Sequence, residues 1–115
     1  MVAILPADQL DSLFTALSDR TRRDILARLS TGEATVKELA EPYAMTMQAV
    51  SQHIRVLERS GLITQGRHRQ TRPCRLEPAA LDAALSWMEE SRRTWVERMD
   101  RLETHLAEVQ ERANR

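Results

Sequence analysis

The chain is predicted to be mostly α-helical, with one small β-hairpin placed before a long final helix. Three observations predict this. Apolar residues recur at spacings of three and four through five separate segments, the pattern of helices that bury one face. Capping residues and Gly or Pro stand at the ends of those segments. One stretch, from Leu62 to Leu76, drops the helical spacing and sets a polar, basic middle between two short alternating ends. The apolar set is dominated by Leu, Ala, Val, Ile and Met, and aromatics are only 3% of residues, so large sheets are not expected.

Each element follows in order. Leu10, Leu13, Phe14 and Leu17 give an apolar face to a first helix over Asp8 to Leu17. Ser18 is placed to cap a second helix, with Asp19 in its first turn, running to about Leu29. Ile25, Leu26 and Leu29 point inward there, and Arg20, Arg22, Arg23 and Arg28 mostly outward. Gly32 ends this region. Thr35, followed three residues later by Glu38, is a capping box for a short third helix from Val36 to about Glu41, and Pro42 stops it. Thr46 caps a fourth helix, Met47 to about Ser60, with Gly61 as its stop. Val50, Ile54 and Leu57 form the inner face of that helix. Gln48, Ser51, Gln52, Arg55 and Arg59 form the other, which is dense in hydrogen-bond donors. Leu62-Ile63 begins a strand, the segment GRHRQTR makes a basic tip, and Pro73-Cys74-Arg75-Leu76 returns.

Pro78 opens a last helix that nothing interrupts before about Arg112. Its apolar positions are Leu81, Leu85, Met88, Trp95, Met99, Leu102, Leu106 and Val109; with Arg92 in the gap, the spacing alternates strictly between four and three. A seven-residue repeat of this kind defines a seam. A helix of this length is roughly 50 Å long, more than a small core can cover. Either the seam packs on the chain's own first helix or it meets a second copy. The surplus length favours the second copy, with Leu10, Leu13, Leu85, Met88, Trp95, Met99, Leu102 and Leu106 as the expected dimer residues.

The chain of 115 residues reads as a single domain, with a core over 8–77 and a dimerisation helix over 79–112. Its formal charge of zero is unevenly spread: residues 1–17 carry net −2, residues 18–76 net +5 and residues 77–115 net −3. A basic middle between acidic ends suits a nucleic-acid surface, which needs local positive potential rather than a basic chain. No signal peptide or membrane span is visible, and the single cysteine, Cys74, cannot form an intrachain disulfide, so the expected location is cytoplasmic and nucleoid-associated. No nucleophile–base–acid set or phosphate-cradling glycine loop is legible, and no cofactor is expected.

Two short helices followed by a hairpin place one helix in the DNA major groove and the hairpin beside the backbone. On the fourth helix, Gln48 and Gln52 suit adenine, Arg55 suits guanine or a phosphate, and Ser51 is short enough for close approach. Thr46 and Met47 stand at the helix start, where free amides face a phosphate. His53 lies at the edge of the buried face, and a structural or phosphate-facing role competes with a groove contact. Arg67, Arg69 and Arg72 are expected to meet the backbone or minor groove; a merely solvated turn is the alternative. Cys74, near this basic hairpin, is either a small buried residue or an oxidation-sensitive thiolate.

Residues 10–77 resemble the ArsR/SmtB family of winged helix-turn-helix repressors. The resemblance rests on Leu17-Ser18-Asp19-Arg20-Thr21-Arg22, on Val50-Ser51-Gln52-His53-Ile54 with Leu57, and on Gly61-Leu62-Ile63. It implies a dimeric fold of order α1-α2-α3-α4-β-β-α5 and a homodimeric repressor of a palindromic operator, with autoregulation compatible. The alternative is a winged protein-interaction module without specific DNA binding. Position 47 departs from the family's frequent Gln. Metal-sensing members carry a cysteine pair in the helix before the recognition helix; here that segment is Val36-Lys37-Glu38-Leu39-Ala40, without a thiol. Of a second family metal site, only His105 and Glu108 resemble one half, so the chain resembles a metal-independent branch. The signal, if any, would be an unidentified small-molecule or protein effector.

Overall fold

The computed structural model describes residues 7–66 and 72–115. Eight elements follow in order: α1 (Ala7–Leu17), α2 (Arg20–Leu29), β1 (Ala34–Thr35), α3 (Val36–Ala40), α4 (Met47–Arg59), β2 (Ile63–Gln65), β3 (Pro73–Leu76) and α5 (Pro78–Ala113). This is the winged helix-turn-helix architecture anticipated from the residues, with one strand more. The addition is β1, which pairs antiparallel with β3 (Ala34 opposite Cys74, Thr35 opposite Pro73), so the hairpin is part of a three-stranded sheet ordered β1-β3-β2. At two residues, β1 is too short to show alternation, and Thr35 also serves as the α3 cap, which hides it.

The caps explain most boundaries. Thr35 and Glu38 exchange both bonds of a capping box. Thr46 accepts from the Ala49 N–H at 3.1 Å. At the other end of α4, Gly61 adopts φ +84°, Gly61 N–H donates to Glu58 and Leu62 N–H to Leu57. These paired bonds need a left-handed residue between them, so a glycine is required there. The second helix differs from expectation. Asp19, not Ser18, is its cap: Asp19 is extended and its carboxylate accepts from the Arg22 N–H at 3.0 Å. Ser18 instead donates its hydroxyl to the Thr15 carbonyl at 2.6 Å, closing off α1. With only two residues between the helices, one terminates the first and the other opens the second.

The core gathers Leu13, Ala16, Ile25, Leu29, Leu39, Val50, Ile54, Leu57, Leu62, Ile63 and Cys74, all buried, with Ala80 and Ala84 from the start of α5. Leu13, expected on the dimer surface, is fully buried within its own protomer, because α1 turns that side toward α2 and α4 rather than outward. Cys74 is also fully enclosed, being an inward residue of the central strand β3. Burial, with a smaller push from the Glu58 charge, raises its thiol to about 11. The basic hairpin does not make it a thiolate. Modification of native Cys74 by a disulfide reagent at pH 7.5 is expected to run roughly 100-fold slower than in the denatured chain; a rate near that of free cysteine would show an open site.

Beyond Ala84, α5 leaves the body. Residues 87–115 are exposed throughout. The radius of gyration is 21.1 Å and the longest axis 78 Å, against roughly 13 Å expected for a compact chain of this length. Leu85, Met88, Trp95, Met99, Leu102, Leu106 and Val109 are all exposed. Phe14 and Trp87 meet edge-to-face with ring centroids 5.7 Å apart, forming an apolar shoulder where α1 meets α5 that periodicity alone does not single out.

Candidate nucleic-acid interface

The fourth helix divides cleanly. Val50, Ile54 and Leu57 are fully buried, which fixes the rotation of α4 about its axis. Met47, Gln48, Gln52 and Arg55 are consequently exposed, with Ser51 half-buried between them. The four Leu, Ile and Val side chains of α3 and α4 (Leu39, Val50, Ile54, Leu57) thus act as the mounting, and the polar residues as the presented surface. The N-terminus of α4 is held by the Thr46 cap, leaving its first amides directed outward along the axis.

Two side-chain networks fix α4 relative to the rest. In the first, Arg22 spans three acceptors. Its Nε donates to the Ala16 carbonyl at 2.8 Å and one terminal nitrogen to the Thr15 carbonyl at 2.9 Å, while the other lies 3.2 Å from His53 Nδ1. A guanidinium is donor-only, so Nδ1 is the acceptor and the His53 proton sits on Nε2. Asp19 lies 3.8 Å from the same nitrogen. The Arg22 amide, followed by the charge of the Arg22 guanidinium, holds the Asp19 carboxyl below its ordinary range. His53 is half-buried, and these bonds give it the structural role of joining α4 to α2 and the end of α1. That favours the structural reading over groove contact.

In the second network, Arg28 donates to the Leu39 and Glu38 carbonyls at 2.9 and 3.0 Å, closing the C-terminal end of α3, and lies over the Tyr43 ring at 5.7 Å. The Tyr43 hydroxyl donates to Asp24. Burial first, then the Asp24 carboxylate, pushes the phenol pKa up, which keeps this donor in place at all ordinary pH. The connection between α3 and α4 is thus pinned to α2. Arg22 and Arg28, expected mostly outward from the sequence, instead bond to carbonyls at helix ends.

Of the hairpin cations, Arg67 and Arg69 lie outside the described residues. Arg72 is exposed at the foot of β3 with φ +33°, and it lines a cleft together with Lys37, Ser51 and Arg55. The structure therefore brings Met47, Ser51, Arg55 and Arg72 to one cleft between α4, α3 and the hairpin. Lys37, absent from the expected set, joins them because α3 carries it to the same rim. Among the described residues no group of three or more His, Cys, Asp or Glu could hold a metal ion, and no helix is long and apolar enough to cross a membrane.

Known proteins with these features place the chain. A helix-turn-helix domain family matches residues 17–66. The transcriptional repressor SdpR of Bacillus subtilis is 30% identical over 79 residues, covering 69% of this chain and 88% of that protein. The HTH-type transcriptional regulator Rv2034 of Mycobacterium tuberculosis is 38% identical over 73 residues, covering 64% and 68%. Among solved structures, the ArsR family transcriptional regulator RHA00566 superimposes with a TM-score of 0.76 at 39% identity, over 81% of this chain and 96% of that one. Mb0332 of Mycobacterium bovis, described as a homodimeric winged helix-turn-helix DNA-binding domain, gives 0.58 at 26% identity over 76% and 80%. These proteins are transcription factors rather than enzymes. On this identity and superposition, the chain belongs to the ArsR family of winged helix-turn-helix transcriptional regulators.

Proposed function

We propose that the protein is a homodimeric repressor that binds a palindromic site on double-stranded DNA. The observation that carries this reading is the division of α4: a fully buried apolar face sets its rotation, and Gln48, Gln52 and Arg55 are presented together on the other side. A major groove about 12 Å wide admits one such helix. Thr46 and the first amides of α4 suit a phosphate oxygen, and Lys37 and Arg72 flank the same cleft as backbone cations. Arg67 and Arg69, which lie between β2 and β3 in the sequence, are assigned to the backbone or the minor groove. The exposed seam of α5, from Leu85 to Val109, supports assembly with a second copy. The description of Mb0332 as homodimeric and of SdpR as a repressor supports the same reading by likeness. A dimer of this kind sets its two recognition helices about 34 Å apart, one turn of DNA, which makes the site palindromic. Covering promoter DNA then excludes polymerase.

The test is binding of the metal-stripped, reduced protein to sites selected from random DNA, read by anisotropy across a salt series. The wild type is expected to bind a palindrome tightly and with strong salt dependence. Replacing Ser51→Ala and Arg55→Ala together is expected to weaken that binding by roughly 100- to 1000-fold, since contacts are lost in both half-sites. Selection that enriches no sequence would overturn the reading and favour an interaction module.

A further inference from the structure

We propose that Met47 reads the 5-methyl group of a thymine in each half-site, an inference that rests on the DNA-binding reading above. Among the described residues, every other exposed large apolar side chain belongs to α1 or α5, where a second copy would cover it; Met47 alone stands elsewhere. It is 49% exposed at the first position of α4, beside the Thr46 cap. Residues at the N-terminal end of a recognition helix are the ones that approach base edges. The neighbouring exposed groups Gln48, Gln52 and Arg55 are all hydrogen-bonding, so Met47 is an apolar spot on a polar reading face.

The chemistry of the groove supplies one match. Of the groups that base pairs present in the major groove, the thymine methyl is the apolar one; the others are donors and acceptors. Met47 cannot donate a hydrogen bond, and laying it on an acceptor or an amino group would desolvate that group without return. Against a methyl group it gains buried apolar surface, and its unbranched, flexible side chain can follow the position of that methyl. Its surroundings support the placement: Met47 lines an open cleft with Val36, Ser51 and Ile54, and its side chain is 49% exposed. Ser51, one helical turn further on, leaves room for a base pair to approach.

The experiment uses the palindrome recovered by selection. Each symmetric pair of thymines is replaced in turn by deoxyuridine, which removes only the methyl group. Binding is measured by anisotropy for the wild type and for Met47→Ala, Met47→Gln and Met47→Leu. For the wild type, one symmetric pair is expected to show a loss of about fourfold per half-site, near 15-fold for the pair, the value of one buried methyl group at each. Met47→Leu is expected to keep this sensitivity. Met47→Ala and Met47→Gln are expected to bind the thymine and deoxyuridine sites within about twofold of each other. Because the side chain is half-exposed, these variants are expected to melt within a few degrees of the wild type. A palindrome that is bound tightly but is indifferent to every thymine demethylation overturns the inference and leaves the DNA-binding reading standing. Equal sensitivity in wild type and Met47→Ala also overturns it, by assigning the methyl to another residue. If selection enriches no sequence, both readings fall together.

Discussion

A chain carrying Leu102→Glu and Leu106→Glu is expected to sediment as a folded monomer and to lose specific DNA binding by at least about 100-fold. Both residues lie on the seam of α5 and are 48% and 57% exposed within the protomer. The substitutions therefore cost the isolated protomer little, while a dimer seam would have to enclose four added carboxylates without partners. Burying an unpaired charge is among the most expensive changes a packed surface can suffer. The loss of DNA affinity follows from geometry. Two linked recognition helices turn the second half-site contact into an intramolecular event, and that linkage is worth on the order of 100- to 10,000-fold. Analytical ultracentrifugation, anisotropy and circular dichroism together check the three parts. Helicity that collapses along with the dimer would mean that α5 depends on its partner for its own formation. A double variant that stays dimeric would remove α5 as the assembly surface.

Arg22→Lys is expected to behave nearly as badly as Arg22→Ala, with a loss of roughly 2–3 kcal/mol and a melting temperature lower by on the order of 10 °C. The guanidinium meets the Ala16 and Thr15 carbonyls and His53 Nδ1 at once, through three different nitrogens. An ammonium carries its donors on one atom and cannot span acceptors on two helices. The magnitude is set well below three full charge-assisted bonds because part of the group is in contact with water. The consequence beyond stability is positional: without this link, the end of α1 and the middle of α4 lose their common anchor. The imidazole nitrogens of His53 report it directly. In the wild type, nitrogen NMR is expected to show the Nε2–H tautomer, and in Arg22→Lys a mixture of tautomers. An unchanged tautomer with full stability would show that Arg22 is a bystander.

The order of elements was legible in the residues because each helix carries its own punctuation. Thr35 with Glu38, Thr46, Gly61 and Pro78 each satisfy or end a local hydrogen-bond pattern, and local patterns need no knowledge of distant chain. The inner face of α4 was equally legible, since the spacing of Val50, Ile54 and Leu57 determines which side faces a core whatever that core contains. The long seam of α5 could be read for the same reason.

What was not legible depends on contacts between segments far apart in the chain. Strand β1 is made by Pro73 and Cys74 arriving beside Ala34 and Thr35, and two residues carry no pattern of their own. Leu13 looked equivalent to Leu10 on an apolar stripe, yet the stripe of α1 is wide enough to serve two neighbours. Leu13 falls wholly on the inner one. Arg22 and Arg28 resembled solvent-facing charges because charge predicts solvent in the absence of a partner. Their partners are carbonyls at the ends of other helices, which sequence spacing does not place.

The residues by themselves determined the helices, the hairpin, the polar face of α4 and the apolar seam of α5, since each follows from periodicity and capping within a few turns of chain. Tertiary structure alone decided that Cys74 is a buried thiol, that His53 meets Arg22 of α2, and that Met47 is left uncovered beside the polar side chains of α4. Burial and hydrogen-bond partnership are properties of neighbours in space, and those neighbours exist only once the chain has folded.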